Sequence, residues 1–424
     1  MKFYLPLFLY LCTAPFNSHV SALEIPRGLH GYYEGRYGQK TAFQPWHKQE
    51  SISEIRLQLD KTEYRDDYTL TLRTDFLFDD VDREGEISLE KGEGAIDLRE
   101  FNLLFYPQDN LDIKIGRQIL TWGTGDMLFI NDLFPKDWVS FFSGRDNEYL
   151  KAPSDAVKIS WFQPQINMDL VFTPRFDADR FISGERISYY NENVGVLSGT
   201  NAIINTEQPD SWFNDNELAL RFYKNINGNE LALYAYRGFW KSPAGFNSAG
   251  QATFPELDVW GFSSRKPIGK GIGNIELGYY NSADDKNGSN PFIKNSELRA
   301  LIGYQWELYR NFTAGLQFYV EHMNDYSAYK NNLPTGFKAK DQNRQVTTLR
   351  LSRQLMNENL LLSLFTFYSP TDKDAYLRPQ IHYKIDDQRK IELGANIFLE
   401  DEEETFFGQF HRNNNIYLAY RYSF

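Results

Sequence analysis

The chain has 424 residues, with 45 Lys and Arg against 57 Asp and Glu, and its formal charge of −12 repels polyanions and excludes nucleic acid as a partner. A single cysteine, Cys12, excludes an internal disulfide framework and a thiolate metal site. With 27 Tyr, 33 Phe and 8 Trp at a mean hydropathy of −0.54, the composition fits alternating strands with aromatic belts better than a long apolar span.

The N-terminus reads as a secretory leader. Met1-Lys2 precedes an apolar run over 3–14, and Val20-Ser21-Ala22 places cleavage after Ala22. The run is short of the ~20 residues a spanning helix needs. This divides the chain into a signal peptide over 1–22, containing Cys12, and a single domain over 23–424.

From there, segments alternating apolar and polar residues recur to the end. Period-two patterning predicts strands over 28–38, 51–61, 67–78, 95–106, 110–121, 155–163, 166–175, 216–226, 229–240, 256–266, 273–281, 295–309, 311–322, 345–355, 359–368, 374–384, 389–399 and 412–424. Most approach the ~9–11 residues of a tilted membrane strand. Alternate joins are tight turns rich in Asn, Asp, Gly and Pro, over 62–66, 107–109, 226–228, 267–272, 356–358 and 385–388 and at Pro164 and Arg310. Between them lie long connections over 39–50, 79–94, 122–154, 176–215, 241–255, 282–294, 323–344 and 400–411, with 369–373 the one short exception. Short turns at one end and long loops at the other predict an all-β, transmembrane, antiparallel up-and-down barrel of about 18 strands.

Alternation also assigns faces. In 68–78, Tyr68, Leu70, Leu72, Phe76 and Phe78 point to lipid, while Arg73 and Asp75 point to the lumen. In 298–308 the lipid face is Leu298, Ala300, Ile302, Tyr304, Trp306 and Leu308, with Arg299 and Glu307 opposite. Arg221, Arg350, Arg378 and Arg421 fall on polar faces too, as does Glu276. A charge at the lipid midplane costs roughly 2–4 kcal/mol, so these groups are expected inside. The apolar phase slips after Leu98 and near Gly116-Arg117, and a β-bulge is expected at each.

The stretch 122–154 mixes Met127, Phe129, Ile130, Phe134, Trp138, Phe141 and Phe142 with many charges. A loop this apolar needs a wall to pack against, so it is expected to fold into the barrel as the third long loop. Arg117, Trp122, Asp126, Asp132, Lys136, Asp137, Arg145, Asp146 and Lys151 are then candidates to line a constriction that selects by size and charge. The same charges could simply pair to hold the loop in place.

Two resemblances accompany these residues. Gly116-Arg117-Gln118 and Trp122-Gly123, with Leu98-Arg99-Glu100 upstream and Leu150-Lys151-Ala152-Pro153 and 172–176 downstream, resemble porin-like outer-membrane channels of the alginate-export type and related channels of unassigned substrate. The ending Tyr420, Tyr422, Phe424 resembles the assembly signal of bacterial outer-membrane barrels. Together they imply insertion by the barrel-assembly machinery into outer-membrane lipid and lipopolysaccharide, and a channel function. The alternative is a plugged barrel serving an envelope export or lipid-transport system with transporter partners.

Neither HExxH nor GxSxG occurs, and His30, His47, His322, His382 and His411 are scattered. The acidic runs Asp79-Asp80-Val81-Asp82 and Glu400-Asp401-Glu402-Glu403-Glu404 read as solvated loops rather than calcium sites. No cofactor, metal or enzymatic activity is expected.

Overall fold

The computed structural model describes residues 28–81 and 86–424, so the leader with Cys12, and Asp82 of the first acidic run, lie outside the described residues. Eighteen strands form one sheet: β1 Leu29–Lys40, β2 Glu50–Tyr64, β3 Tyr68–Asp79, β4 Ile96–Gln108, β5 Leu111–Ile119, β6 Pro153–Trp161, β7 Asn167–Thr173, β8 Glu217–Ile226, β9 Asn229–Phe239, β10 Glu256–Ile268, β11 Gly271–Ser282, β12 Glu297–Tyr309, β13 Phe312–Met323, β14 Asn343–Leu355, β15 Leu360–Ser369, β16 Asp374–Lys384, β17 Arg389–Leu399 and β18 Asn415–Ser423. Each pairs antiparallel with the next, and β18 pairs with β1 from Tyr32↔Ser423 to Lys40↔Asn415, so the sheet closes and has no free edge. The pairing runs past β18: Phe424 N donates to Gly31 O at 2.9 Å, and its ring lies 5.4 Å from that of Tyr33. Among the described residues no helix is long and apolar enough to cross a membrane.

Outside, the predicted faces hold. Phe76, Phe78, Leu298, Ile302 and Leu308 are exposed on the outer surface, while Asp75 is fully buried within. Leu98 pairs with Thr74 and Glu100 with Arg73, leaving Arg99 as the extra residue of the first expected bulge. The second is absent: β5 keeps continuous register with β6, and the irregularity is taken up by Gly116 at φ +115°. A Cβ there would stand 2.4 Å from Phe101 O, which only glycine avoids.

Two further expectations need correction. The last strand starts at Asn415, not 412, because Gly408–Asn413 forms a 3-10 turn that buries Phe410. Apolar residues are also not confined to the outer face. Phe365, Phe367, Tyr376 and Phe398 point inward on β15, β16 and β17 and are buried. The Tyr376 and Phe398 rings stack at 4.4 Å, and Phe367 stacks on Tyr376 at 5.8 Å. This aromatic panel on the inner wall marks where something apolar must sit.

The loop-bearing end carries small elements of its own. Tyr189–Asn191 pairs with Val196–Ser198, and Gly245–Phe246, Ala252–Thr253 and Thr206–Glu207 form a short sheet. The connection over 174–216 is held at its root by Asp177, whose Oδ2 accepts from Ser154 Oγ at 2.6 Å and from Asp155 N at 3.1 Å. Burial pushes this carboxyl up to about 6; the Ser154 bond opposes the rise and the Glu217 carboxylate adds to it. Between about pH 4 and 6 the folded chain holds a proton that the unfolded chain has released, so stability falls as pH rises through that window. Asp177→Asn is therefore expected to stabilise the refolded protein at pH 7.5 by about 2–3 kcal/mol. Melting curves at pH 7.5 and pH 4 check this, since the gap between variant and parent should close at the lower pH.

Candidate functional site

The connection over 120–152, between β5 and β6, lies inside the barrel and is bonded to its inner wall on opposite sides. Its first turn is Trp122-Gly123-Thr124-Gly125-Asp126. Glu276, a buried carboxylate on β11, accepts from Thr124 N, from Gly125 N at 2.7 Å, from Asn131 N at 3.3 Å and from Asn131 Nδ2 at 3.0 Å. The glycines permit that approach. Gly123 sits at φ +80°, where a Cβ would meet Glu276 Oε1 at 3.1 Å.

Asp126 continues the attachment. Its backbone exchanges two hydrogen bonds with Gln317 on β13, at 2.7 and 2.9 Å. Its carboxylate grips Arg350 on β14 through both oxygens, with Nη2 at 2.7 Å from Oδ1. Met127, at φ +57°, places its sulfur 3.8 Å from Arg378 Nη1 on β16. Ile130 is fully buried, and its carbonyl accepts from the Tyr280 hydroxyl on β11.

The middle of the loop forms α1, Trp138–Ser143. Asp137 caps it, accepting from Ser140 N at 2.6 Å and Ser140 Oγ at 2.7 Å, and it also pairs with Arg180 at 3.2 Å. Gly144 ends the turn at φ +99°, the left-handed position. The helix exists to present its two phenylalanines to the aromatic panel. Phe142 lies 5.3 Å from Tyr376, 5.3 Å from Phe398 and 4.9 Å from Phe410, and Phe141 lies 5.7 Å from Tyr376.

Beyond α1 the loop meets the far wall through charge. Arg36 on β1 donates to Gly144 O at 2.8 Å and pairs with Glu34 and with Glu392 on β17, each at 2.9 Å. Arg145 lies 2.8 Å from Glu54 on β2 and 3.4 Å from Asp79 on β3. Asp146 pairs with Arg421 at 3.1 Å and Lys390 at 3.7 Å. Burial alone would raise the Asp146 carboxyl, but Arg421 and Lys390 outweigh it and hold it at about 2. Tyr149 then enters a polar cage: its hydroxyl donates to Asp75 at 2.6 Å, lies 2.6 Å from the Tyr32 hydroxyl, and carries Arg56 4.0 Å from its ring centroid.

The residues singled out from sequence do not form one cluster. Asp126 with Arg350 stands at the stalk, and Asp146 with Arg421 stands at the far wall. Asp132 and Lys136 pair with each other at 3.0 Å, and Lys151 donates to Thr121 at 2.6 Å. Arg117 reaches Asp155 at 2.8 Å and Leu98 O at 2.8 Å, behind the loop. The Trp122 ring packs 5.0 Å from Phe134. Of the wall residues, Arg73 pairs with Asp60 at 2.7 Å, Arg221 with Asp169 at 3.7 Å and Arg299 with Glu297 at 2.7 Å. Glu307, near a short turn, caps Asn311 N at 2.9 Å. The loop pairs themselves are unequally covered: the Asp126 side chain is 44% exposed, whereas those of Asp132 and Asp137 are 3% exposed. The first is open to solvent and the other two are closed off.

Several residues that hold the loop carried no sequence signal for that role. Glu276 falls on a polar face, but nothing local ties it to residues about 150 positions away. Arg36, Glu54, Arg56 and Arg180 are similar. The inward aromatics did leave a trace, because around 360–367 both faces of a strand are apolar, which a barrel facing plain water would not need.

No protein-family model and no curated protein matches the chain. Among solved structures it is similar to OccD3 (OpdP) of Pseudomonas aeruginosa, at 10% identity over 94% of this chain and 91% of that one, with a TM-score of 0.55. It is similar to OccAB3 of Acinetobacter baumannii at 12% identity, covering 93% and 98% with a TM-score of 0.53. It is also similar to OccAB4 of the same organism at 10% identity, covering 93% and 97% with a TM-score of 0.55. At such identities what is shared is the fold, a barrel closed on itself over nearly the whole length of each chain.

Proposed function

We propose that the protein is a channel of the bacterial outer membrane, passing small polar or amphipathic solutes through a lumen narrowed by the loop over 122–154. The observation that carries this reading is a loop clipped to Glu276 at its start and to Arg36 and Glu54 after α1, which spans the interior from wall to wall. An apolar outer surface and a charged inner one suit a barrel set in lipid. The fold-level likeness to the Occ proteins supports the same reading, and the resemblance of segments between 98 and 176 to alginate-export-type channels and related channels of unassigned substrate supports a channel without naming its cargo. Where Asp126 faces Arg350 and Asp146 faces Arg421, opposed charges border the path and favour discrimination by charge as well as size.

The test is single-channel conductance of the refolded protein in a planar bilayer, with and without residues 127–144. A steady current that rises severalfold on deletion is the expected result. Silence in both forms would sink the channel reading and favour a plugged barrel working with envelope transporter partners.

A further inference from the structure

The short-turn end of the barrel is uneven in charge, and solute passage does not require the difference. Between β10 and β14 it carries Lys266, Lys270 at the tip of one turn, Arg310 at the tip of the next, and Arg353. Cross-strand partners share a face of the sheet. Lys266 lies opposite Gly273, which lies opposite Tyr304, and Arg353 lies opposite Phe312. Lys266 and Arg353 therefore point outward with Ile302 and Leu316, which are exposed on the outer surface, and they stand at the end of the apolar band.

All four cations are exposed, and among the described residues none of them pairs with a carboxylate. Arginines at other short turns are neutralised by a neighbour: Arg65 pairs with Glu63, and Arg389 with Asp386 at 2.5 Å. Glu307 does not serve Arg310 in this way, because it belongs to the inner face and accepts from Asn311 N at 2.9 Å. Between the cations lies an aromatic shelf. Tyr304 and Trp306 stack at 5.3 Å and 24°, and the Tyr309 ring packs 5.0 Å from that of Phe312. Gly271 makes room for it, since a Cβ there would stand 2.7 Å from the Tyr304 ring, whose hydroxyl donates to Ile268 O at 2.8 Å. Arg353 Cζ lies 5.6 Å from the Tyr309 centroid, and Ile268, Leu308 and Tyr309 are exposed around it. Rings of this kind sit at headgroup level in a bilayer, and unpaired Lys and Arg beside them attract anionic lipid.

We infer that the outer surface of β10 to β14 at the short-turn end, framed by Lys266, Lys270, Arg310 and Arg353, is a binding site for a phospholipid with an anionic headgroup. The phosphate meets the cations, and the acyl chains run past Trp306 and Tyr304 toward Ile302 and Leu316. The site rests on the membrane placement in the proposed function and not on conduction.

Native mass spectrometry of the refolded protein, released from micelles, reads lipid retention directly. The probes are phosphatidylglycerol and phosphatidylcholine with the same acyl chains, and glycerol 3-phosphate as a phosphate without chains. Phosphatidylglycerol is expected to be held at least tenfold more tightly than phosphatidylcholine. Lys266→Gln and Arg353→Gln should each weaken it about fivefold, and the double variant more than tenfold. Lys61→Gln, which removes an exposed outward cation on β2, should leave it unchanged. Equal retention of the two lipids, or equal losses in Lys61→Gln and Lys266→Gln, would overturn the assignment. Displacement of the lipid by excess glycerol 3-phosphate would overturn it too, in favour of a soluble phosphate. Potassium chloride conductance of the same proteins separates the two readings: selective retention in a silent protein leaves the site standing while the channel falls, and an intact current without selectivity removes the site alone.

Discussion

Replacing Glu276 with Ala is expected to raise single-channel conductance severalfold while leaving the barrel folded. One buried carboxylate serves four donors at the loop's first turn, and all four lose their acceptor together. Leaving a buried donor without its acceptor costs about 1–3 kcal/mol, and four such losses together exceed what Gln317 and Arg350 at Asp126 can restore once the preceding backbone is displaced. Glu276→Gln keeps one acceptor oxygen and loses the charge, so it should give an intermediate current. Conductance unchanged in Glu276→Ala, with the folded form shown by its electrophoretic heat-shift, would mean the loop does not depend on this clip.

The second large effect is expected from Phe142→Ala. This ring touches Tyr376, Phe398 and Phe410 at 4.9–5.3 Å between centroids, and truncating a buried Phe costs about 3–5 kcal/mol. The strand ladder is not involved, so the loss should be local. Hydrogen exchange should show amide protection falling across 138–150 by two orders of magnitude or more, with β9 to β13 unchanged, and the current should flicker. The lipid-facing control Phe318→Ala should do neither, since its ring is exposed on the outer surface. Retained protection in Phe142→Ala would shift the weight of loop attachment from the aromatic panel to the arginine pairs.

Fold and site were legible in the sequence to different depths, for a physical reason. A barrel strand declares itself locally, because lipid on one side and polar groups on the other impose a period of two on residues such as 68–78 and 298–308. Loop-length alternation then gave the up-and-down topology, and a slip in the apolar phase gave the extra residue near Leu98. What failed locally was compensated at a distance. The start of β18 was misplaced because Gly408–Asn413 takes a turn to bury Phe410 against Phe142, a partner more than 260 positions away. For the site, loop composition told that 122–154 must find a wall. It did not tell which wall, because a carboxylate such as Glu276 looks the same whether it meets water or four amide-type donors. The conformational signal was present in Gly123 and Gly125 only as permission for close approach, not as the identity of the approaching group.

The two faces that receive the far part of the loop come from opposite ends of the polypeptide. Gly144 gives its carbonyl to Arg36 on β1 and packs against the Tyr417 ring on β18, while Asp146 waits on Arg421 of that same final strand. Sealing the cylinder therefore also completes the seat of its internal strap. A chain still missing its last strand lacks the Arg421 partner of Asp146 and the Tyr417 ring against Gly144, and gains both in the step that joins the first strand to the last.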